Sequence, residues 1–455
     1  MTETVLKRSL GLFPTTSIVV ANMIGAGIFT TSGLILAQIH HPGWMMGLWV
    51  LGGVLALCGA LSYGELGANI PKAGGEYQFL RDLYHPMLGF LSGWTSLIVG
   101  FSAPIAASAM GFSEYLFRAL PAYGTWWTET AGLSSKTAGS LHSVAVIFLF
   151  AAIHYRGMKT GARVQNVLTL LKVALILGLI AAGLFSKSGD TSHFAGPAEG
   201  LREMTGWKSM GLSLMWIMFA YSGWNASTYI GGEIRNPEKT LPRSLWLGTG
   251  IVLVLYLGLN ALFVYGIGPK QMEGVISIGG LAMEHLFGSR AGTLFSLLIA
   301  FALFSSLSAF LIIGPRVYYS MSRDGLFFRG VGRIHPRHQV PSNAIVLQAV
   351  LAVIMVVSGT FEQILTYMGF ALGMFPLLTV LGVFRLRKRY PNGIRLRGFP
   401  AVQVLYALAG LLILGLSLME RPTESLIAIG TVLAGIPFYF HLSGSRWKVF
   451  SRRET

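Results

Sequence analysis

Stretches of about 20 predominantly apolar residues recur along the whole chain, and each is long enough to cross a bilayer as one helix. There are twelve such segments, at 15–37, 44–69, 88–112, 139–155, 163–186, 208–231, 243–266, 293–319, 342–358, 362–384, 400–419 and 424–441. The strands of a membrane barrel would instead be alternating segments of about ten residues. The sequence therefore predicts an all-α integral membrane protein with about 12 transmembrane helices.

The composition excludes a water-soluble protein. Hydrophobic residues make up 53% of the 455 residues and charged residues only 11%, whereas soluble globular proteins carry about 25% charged residues. So few charges cannot cover the surface of a soluble fold of this size. The same figures exclude a disordered chain, because disordered chains are poor in hydrophobic residues.

The basic residues are distributed unevenly between the segments that would lie on the two sides of the membrane. The chain has 34 Lys and Arg against 18 Asp and Glu, a formal net charge of +16. If both termini are cytoplasmic, 25 of the 34 fall on the cytoplasmic side, eight fall on the outer side, and Lys172 alone lies in mid-span. This asymmetry predicts a multi-pass protein of the plasma (inner) membrane with both termini in the cytoplasm. It accounts for the basic excess without nucleic-acid binding.

The first and the sixth spans both carry glycine in mid-membrane, at 25–29 (GAGIF) and at 219–225 (FAYSGWN). Either motif alone is explained by close helix packing, since small residues are common at helix contacts in membranes. Together, at corresponding positions of two five-helix halves, they favour an inverted-repeat carrier whose site lies at two broken helices. The N–H and C=O groups that such breaks expose suit a zwitterion.

Other classes of membrane protein leave signatures that this sequence lacks. It contains no His-Glu-x-x-His, Gly-x-Ser-x-Gly or Gly-x-x-x-x-Gly-Lys-Ser/Thr motif, which argues against a membrane-embedded enzyme and against ATP coupling. A channel would share the hydrophobic pattern, but broken helices favour a bound, enclosed substrate over an open pore. Neither a metal nor a cofactor is expected, because these histidines fall in predicted loops: His40, His41, His85, His193, His335 and His338.

The motif at 219–225, followed by 232–239 (GEIRNPEK), resembles amino-acid permeases of the amino acid–polyamine–organocation superfamily, and most closely their L-type amino acid transporter branch. Further blocks carry the resemblance, at 25–29, 63–66 (YGEL), 71–77 (PKAGGEY) and 315–325 (PRVYYSMSRDG). The resemblance implies a LeuT-like fold, with five helices followed by five inverted helices and with discontinuous helices 1 and 6.

This fold implies a division of the chain into five parts. They are a cytoplasmic N-terminus at 1–14, a first five-helix repeat at 15–186, a second, inverted repeat at 208–384, two peripheral helices at 400–441 and a basic cytoplasmic tail at 442–455. Alternating access would come from the tilting of one group of helices around the central site.

The resemblance also implies a substrate site at the two breaks. The residues expected there are Met23, Gly25, Ala26, Gly27, Phe219, Ser222 and Gly223. The amides of Ala26 and Gly27 would hold the substrate carboxylate. The carbonyls of Met23, Phe219 and Ser222 would hold its ammonium group.

Gating is expected from two aromatic residues of the sixth-span motif. In the family, the aromatic residue that opens this motif covers the substrate, so Phe219 would act as a gate. Tyr221, two residues further on, is assigned to the same role.

Lys172 is the most informative single residue, because a lysine in mid-span is costly and marks a functional site by default. It follows Val164-Gln165 and resembles a family lysine that occupies the place of a coupling sodium ion. Its ammonium would then support the carbonyls of the broken first helix. Sodium dependence is not expected, while proton symport and obligatory exchange both remain open.

The substrate is expected to be a neutral L-amino acid, because the central site shows no obvious carboxylate for a cationic side chain. A cationic amino acid or a polyamine is the alternative. Eukaryotic members of the branch attach to a glycoprotein through a cysteine between spans three and four. The single cysteine here is Cys58, and 113–138 contains none, so no disulfide-linked heavy chain is expected. A monomer is the default expectation.

Overall fold

The computed structural model describes residues 8, 10–156, 158–195, 206–338 and 340–443. Residues 1–7 and 9 of the predicted N-terminal part, and 444–455 of the predicted basic tail, lie outside the described residues. Every regular element within those ranges is helical, and the β-type contacts there are two isolated bridges, Leu10 with Ile234 and Ala73 with Ile230.

Eighteen α-helices lie in the described chain. In order they are α1 (Leu12–Met23), α2 (Ala26–Ile39), α3 (Pro42–Asn69), α4 (Glu76–Leu83), α5 (Pro86–Thr95), α6 (Ser102–Ala119), α7 (Pro121–Thr125), α8 (Ser135–Tyr155), α9 (Met158–Phe185), α10 (Gly206–Ala220), α11 (Pro237–Gly266), α12 (Pro269–Met272), α13 (Ile278–Phe287), α14 (Ser289–Arg323), α15 (Ser342–Ser358), α16 (Phe361–Arg389), α17 (Ala401–Glu420) and α18 (Pro422–Ser443). A π-helical turn, Ser96–Gly100, joins α5 to α6, and short 3₁₀ turns at Ala226–Tyr229 and Gly231–Glu233 follow α10.

Ten helical segments of the described chain are long and apolar enough to cross a bilayer. The first of them, Leu12–Ile39, combines α1 and α2, and another, Pro86–Ala119, combines α5 and α6. Two shorter apolar helices, Lys208–Ala220 within α10 and Ser342–Ser358, stand at the sixth and ninth predicted spans. An all-helical integral membrane protein is therefore confirmed, and the 12-helix inverted repeat stays a prediction.

The sixth span is interrupted at the predicted motif, 219–225, but its α-helical part is shorter than the expected segment at 208–231. The segment is α-helical only to Ala220, and 221–236 contains turns and 3₁₀ segments. Gly223 has a φ of +95°, in the left-handed region, so an α-helix cannot run through this motif.

The outer helices present apolar side chains to their surroundings. On α9, Leu170 and Leu171 are 72% and 61% exposed, whereas the next residue, Lys172, is 1% exposed. Large exposed apolar surfaces of this kind mark contact with a membrane. Lys172 therefore points to the protein interior, as intramembrane charges generally do.

The two interrupted segments lie at the centre of the bundle. The α1 helix packs on α11 and α14, and α2 packs on α10. Around them, α3 lies against α11 and α6 lies against α14. The two breaks are therefore enclosed by four long helices and face one another.

Ionic contacts tie helix ends together at the rim of this bundle. Arg387 of α16 donates from Nε and Nη2 to both carboxylate oxygens of Glu65 on α3, at 2.6 and 2.8 Å. The Leu396 amide also donates to Glu65, at 2.8 Å. A second pair joins Arg316 of α14 to Glu233, at 3.2 Å.

Candidate functional site

The first span is interrupted by two residues, Ile24 and Gly25, between the end of α1 at Met23 and the start of α2 at Ala26. Gly25 has a φ of −121°, which any residue can adopt, so its conformational freedom is not what opens the helix here. The interruption leaves carbonyl groups without helical partners at the end of α1 and amides without them at the start of α2.

The first turn of α2 is an uncapped N-terminus that faces a small cavity. Gly25 stands at its N-cap and supplies no side-chain hydrogen bond. Among the described residues, neither the Ala26 amide nor the Gly27 amide donates a hydrogen bond to a backbone carbonyl outside its own helix. A cavity of about 10 Å³ adjoins them, lined also by Ser108 and Phe310. Free amides at the positive end of a helix dipole are suited to a carboxylate.

Two glycines allow the interrupted segments to approach each other closely. A Cβ atom at Gly27 would lie 2.5 Å from the Cα atom of Ala220, at the end of α10. A Cβ atom at Gly223 would lie 2.8 Å from the carbonyl oxygen of Asn22. The structure therefore brings the predicted residues of the first and sixth spans together. The two glycines leave room for the backbones of these spans to touch.

Two of the three carbonyls expected to hold an ammonium group, those of Met23 and Phe219, already lie within hydrogen-bond distance of a donor. The Tyr256 hydroxyl lies 2.6 Å from the Met23 oxygen and 2.9 Å from the Ala220 oxygen, and it can donate its single proton to only one of them. The Ser222 amide donates to the Phe219 oxygen at 2.8 Å. Because a carbonyl oxygen accepts two hydrogen bonds, each retains one position for a further donor.

Lys172 lies behind the break in the first span. Its Nζ donates to the Ala21 oxygen at 3.0 Å, to the Ser306 hydroxyl at 3.2 Å and to the Ile24 oxygen. The Ser306 hydroxyl donates to the same Ile24 oxygen at 2.8 Å. Lys172 does not line the cavity at the start of α2. A cation of the protein itself is thus bonded to the carbonyls that the break exposes.

A second, wider cavity adjoins the first. Its volume is about 110 Å³, and it shares Asn22, Phe219, Ser222 and Phe310 with the narrow cavity at α2. The narrow part reaches the uncapped amides, and the wide part extends between α10, α16 and α17. This combination can hold a small zwitterion at one end and its side chain at the other.

The two residues assigned to gating have different positions. Phe219 is 6% exposed and lines both cavities, at their junction. Tyr221 is fully buried and lines neither of these cavities. Its hydroxyl donates to the Trp49 oxygen at 3.1 Å, and its ring lies 5.0 Å from that of Tyr256. Phe219 thus stands where a gate would act, whereas Tyr221 belongs to a packed aromatic cluster.

The expectation that the site lacks a carboxylate is wrong, because Glu76 lines the wide cavity. Glu76 begins α4, in the connection between the second and third spans, and is 6% exposed. Asn225 Nδ2 donates to its Oε1 at 2.8 Å. Burial raises the pKa of Glu76 to about 7. In the sequence, the pair of glycines directly before Glu76, Gly74 and Gly75, could have indicated a sharp turn at this point. In the structure both have a positive φ, and they turn the chain towards the site.

The chain is similar to known amino-acid transporters over almost its whole length. The family model described as "Amino acid permease" matches residues 10–434. The serine/threonine exchanger SteT of Bacillus subtilis is 30% identical over 444 residues, which cover 96% of this chain and 97% of the relative. The b(0,+)-type amino acid transporter 1 of Mus musculus is 28% identical, over 96% of this chain and 88% of the relative. The human cystine/glutamate transporter is 28% identical, over 96% and 85%.

These matches confirm the resemblance that the sequence motifs carry. A further relative, the large neutral amino acids transporter small subunit 2 of Mus musculus, is 27% identical over 96% of this chain and belongs by name to the predicted branch. The chain is a membrane transporter of amino acids and not an enzyme. It belongs to the amino acid permease family.

Proposed function

We propose that this protein is a sodium-independent secondary transporter of neutral L-amino acids that works as an exchanger by alternating access. The observation that carries the proposal is the uncapped first turn of α2 at the narrow cavity. Its free amides match the carboxylate that every α-amino acid carries. The carbonyls of Met23, Phe219 and Ser222 are then the acceptors for the substrate ammonium, and Phe219 closes over the bound zwitterion.

Sodium independence is supported by the position of Lys172. Its ammonium already bonds the carbonyls of Ala21 and Ile24. A sodium ion in this place would need the same oxygen atoms, and a neighbouring ammonium would repel it. We therefore propose that the Lys172 ammonium takes the place of a coupling sodium ion and bonds these carbonyls throughout the transport cycle.

Exchange is supported by the activity named for a similar protein. The Bacillus subtilis protein that is 30% identical to this chain is called a serine/threonine exchanger. Exchange requires that the empty carrier reorients much more slowly than the loaded one. Proton symport is the competing mechanism, and it would require a group that binds and releases a proton during each cycle.

The same proposal includes the arrangement of the chain. Twelve helices would form two inverted five-helix repeats, at 15–186 and 208–384, with two peripheral helices at 400–441. The ten long helical segments and the two shorter ones support this number. Both termini would lie in the cytoplasm, on the side that carries most basic residues.

We also propose that the protein functions as a monomer without a disulfide-linked heavy chain. Cys58 is the only cysteine of the chain, and it lies in α3, where it is 7% exposed. A partner subunit bonded through an exposed loop cysteine is therefore not available to this protein.

The proposal is tested with the purified protein in liposomes, in sodium-free buffer. Uptake of labelled neutral L-amino acids is compared between liposomes loaded with unlabelled substrate and empty liposomes. We expect uptake only into loaded liposomes and no change when sodium is added. Accumulation into empty liposomes under an inward proton gradient would identify a symporter instead. Absence of uptake for every amino acid, from a folded protein, would reject the proposed function.

A further inference from the structure

The wide cavity has both apolar and polar lining residues. The apolar ones include methionine and leucine side chains of α10, α16 and α17: Met215, Met218, Leu372 and Leu414. The polar ones include Glu76, Asn225 and Tyr229. A purely aliphatic side chain in this space would cover Glu76 and Asn225 without offering either a hydrogen bond, and burying polar groups in this way is costly.

Glu76 accepts one short hydrogen bond, and the hydroxyls of Tyr63 and Tyr229 also lie beside its carboxyl. Its Oε1 receives a hydrogen bond of 2.8 Å from Asn225 Nδ2, whereas its Oε2 has only a long contact of 3.5 Å with the Ser92 hydroxyl. None of the ion pairs among the described residues includes Glu76. A buried carboxylate in this state is stabilised by any donor that a ligand brings to it.

The residues that line both cavities indicate where Glu76 would lie relative to the proposed substrate. With the substrate carboxylate at the amides of α2, its α-carbon lies where Phe219 and Ser222 line both cavities. The side chain then has the wide cavity to enter, and Glu76 and Asn225 line that cavity. This placement rests on the proposed function.

We propose that Glu76 and Asn225 form a side-chain subsite that selects substrates whose side chain ends in a hydrogen-bond donor, either a hydroxyl or an ammonium group. Oε2 of Glu76, whose contact with the Ser92 hydroxyl is long, accepts from the donor, and Asn225 holds the carboxylate in position. A side chain of equal size without a donor leaves Oε2 buried with only this long contact. Sites built in this way reject the analogue that lacks the polar group much more strongly than a hydrophobic pocket rejects a polar analogue.

The wild-type protein provides the first test, through two pairs of amino acids of matched shape. Threonine and valine differ in a hydroxyl group, and lysine and norleucine differ in an ammonium group. The apparent affinity of the purified protein for each is measured from its thermal stabilisation by increasing amino-acid concentrations. We expect about tenfold tighter binding of the donor-bearing member in at least one pair. The pair that shows the preference identifies a hydroxyl or an ammonium group as the ligand.

Equal affinities within both pairs would overturn the subsite. Failure of the proposed function would give a different result, because then none of the four amino acids, nor alanine or leucine, would stabilise the protein. Stabilisation by lysine above threonine would favour a cationic substrate over the neutral one proposed above.

The variant Glu76→Gln gives the second test. The amide keeps the size of the side chain and an oxygen that can accept from Asn225, but it removes the negative charge. We expect the preference for the donor-bearing member to fall about tenfold, with little change for its apolar partner. Glu129→Gln, at an exposed glutamate, is the matched control and should retain the preference. An equal loss for both members of a pair would show that Glu76 acts only as a tether for Asn225, and would reject the proposal.

Discussion

At the scale of single residues, two buried ionisable side chains lie around the space that the substrate would occupy. Lys172 bonds the exposed carbonyls of the first break from behind, and Glu76 stands at the far wall of the wide cavity. Both are almost completely buried. Burial makes each of them sensitive to substitution, since a buried polar group that loses its partner costs more than an exposed one.

Lys172→Ala is expected to reduce transport about tenfold or more, because two charge-assisted hydrogen bonds to the first break are lost. The protein should still insert and fold, which fluorescence-detected size exclusion measures. Lys187→Ala, at an exposed lysine, is the control and should transport normally. Transport by Lys172→Ala at the wild-type rate would contradict the role assigned to this lysine.

The stability of the protein is expected to fall as the pH rises through about 7. Burial raises the pKa of Glu76 from 4.5 to about 7, so between these values the folded protein binds more protons than the unfolded chain, and deprotonation destabilises the fold. The groups around its carboxyl are uncharged from about pH 5 to about pH 8: Tyr63, Ser92, Asn225, Tyr229 and Tyr406. The thermal midpoint of the detergent-solubilised protein, measured across this range, should decline, and Glu76→Gln should flatten the profile. An identical slope in both proteins would assign the titration to another group.

The sequence identified a candidate functional residue where its residue type is rare in the surrounding segment. A lysine in mid-span stands out in any hydrophobic segment, and the structure places Lys172 in the protein interior as expected of such a residue. Glu76 gave no comparable signal, because it lies in a short polar connection where glutamate is ordinary. Only the fold, which turns this connection towards the cavity, reveals that it lines the site.

At the scale of elements, the two interrupted segments depend on close backbone contact. The start of α2 and the end of α10 approach so closely that Gly27 has no room for a side chain. This contact brings the amides of one segment next to the carbonyls of the other. The geometry that suits a zwitterion is therefore a property of the packed pair and not of either helix alone.

Gly27→Ala is expected to impair transport strongly. Its Cβ atom would lie 2.5 and 2.6 Å from two atoms of Ala220, so α2 and α10 must separate, at a cost of about 1–3 kcal/mol. Uptake into loaded liposomes should fall at least about tenfold. Gly250→Ala in α11, where no atom lies within 4 Å of the added Cβ, should transport normally. Equal activity of the two variants would show that the close contact is dispensable.

The sequence predicted long helices better than short ones. A window of 20 apolar residues finds continuous spans such as α3 and α11, but it does not detect α4 or α13, which are only 8 and 10 residues long. The same window runs through 221–231, which is apolar but not α-helical. The interruption there is indicated by the glycine motif at 219–225 and not by hydropathy.

At the scale of the whole molecule, composition and charge asymmetry were sufficient to predict a multi-pass membrane protein, and the motifs were sufficient to predict its family. The substrate class was less accessible, because the wide cavity is built from residues that are far apart in the sequence. Side chains of α4, α10, α16 and α17 meet there. No single motif contains them.

The proposed orientation can be tested with cysteine reporters in a Cys58→Ala background. A cysteine at exposed Ser188, after the fifth span, should react in intact cells with a membrane-impermeant maleimide. A cysteine at exposed Asn392, after the tenth span, should react only after the membrane is opened. The reverse pattern would place both termini outside and would contradict the positive-inside assignment.

The covalent attachment of Lys172 to α9 has a thermodynamic consequence. A sodium ion enters and leaves with its substrate, so the free energy stored in its gradient contributes to every cycle. An ammonium group fixed to the protein returns to the same place and dissipates nothing. In the exchanger proposed above, the ratios of the substrates across the membrane are equalised, and accumulation of one amino acid is driven by the outward flow of another.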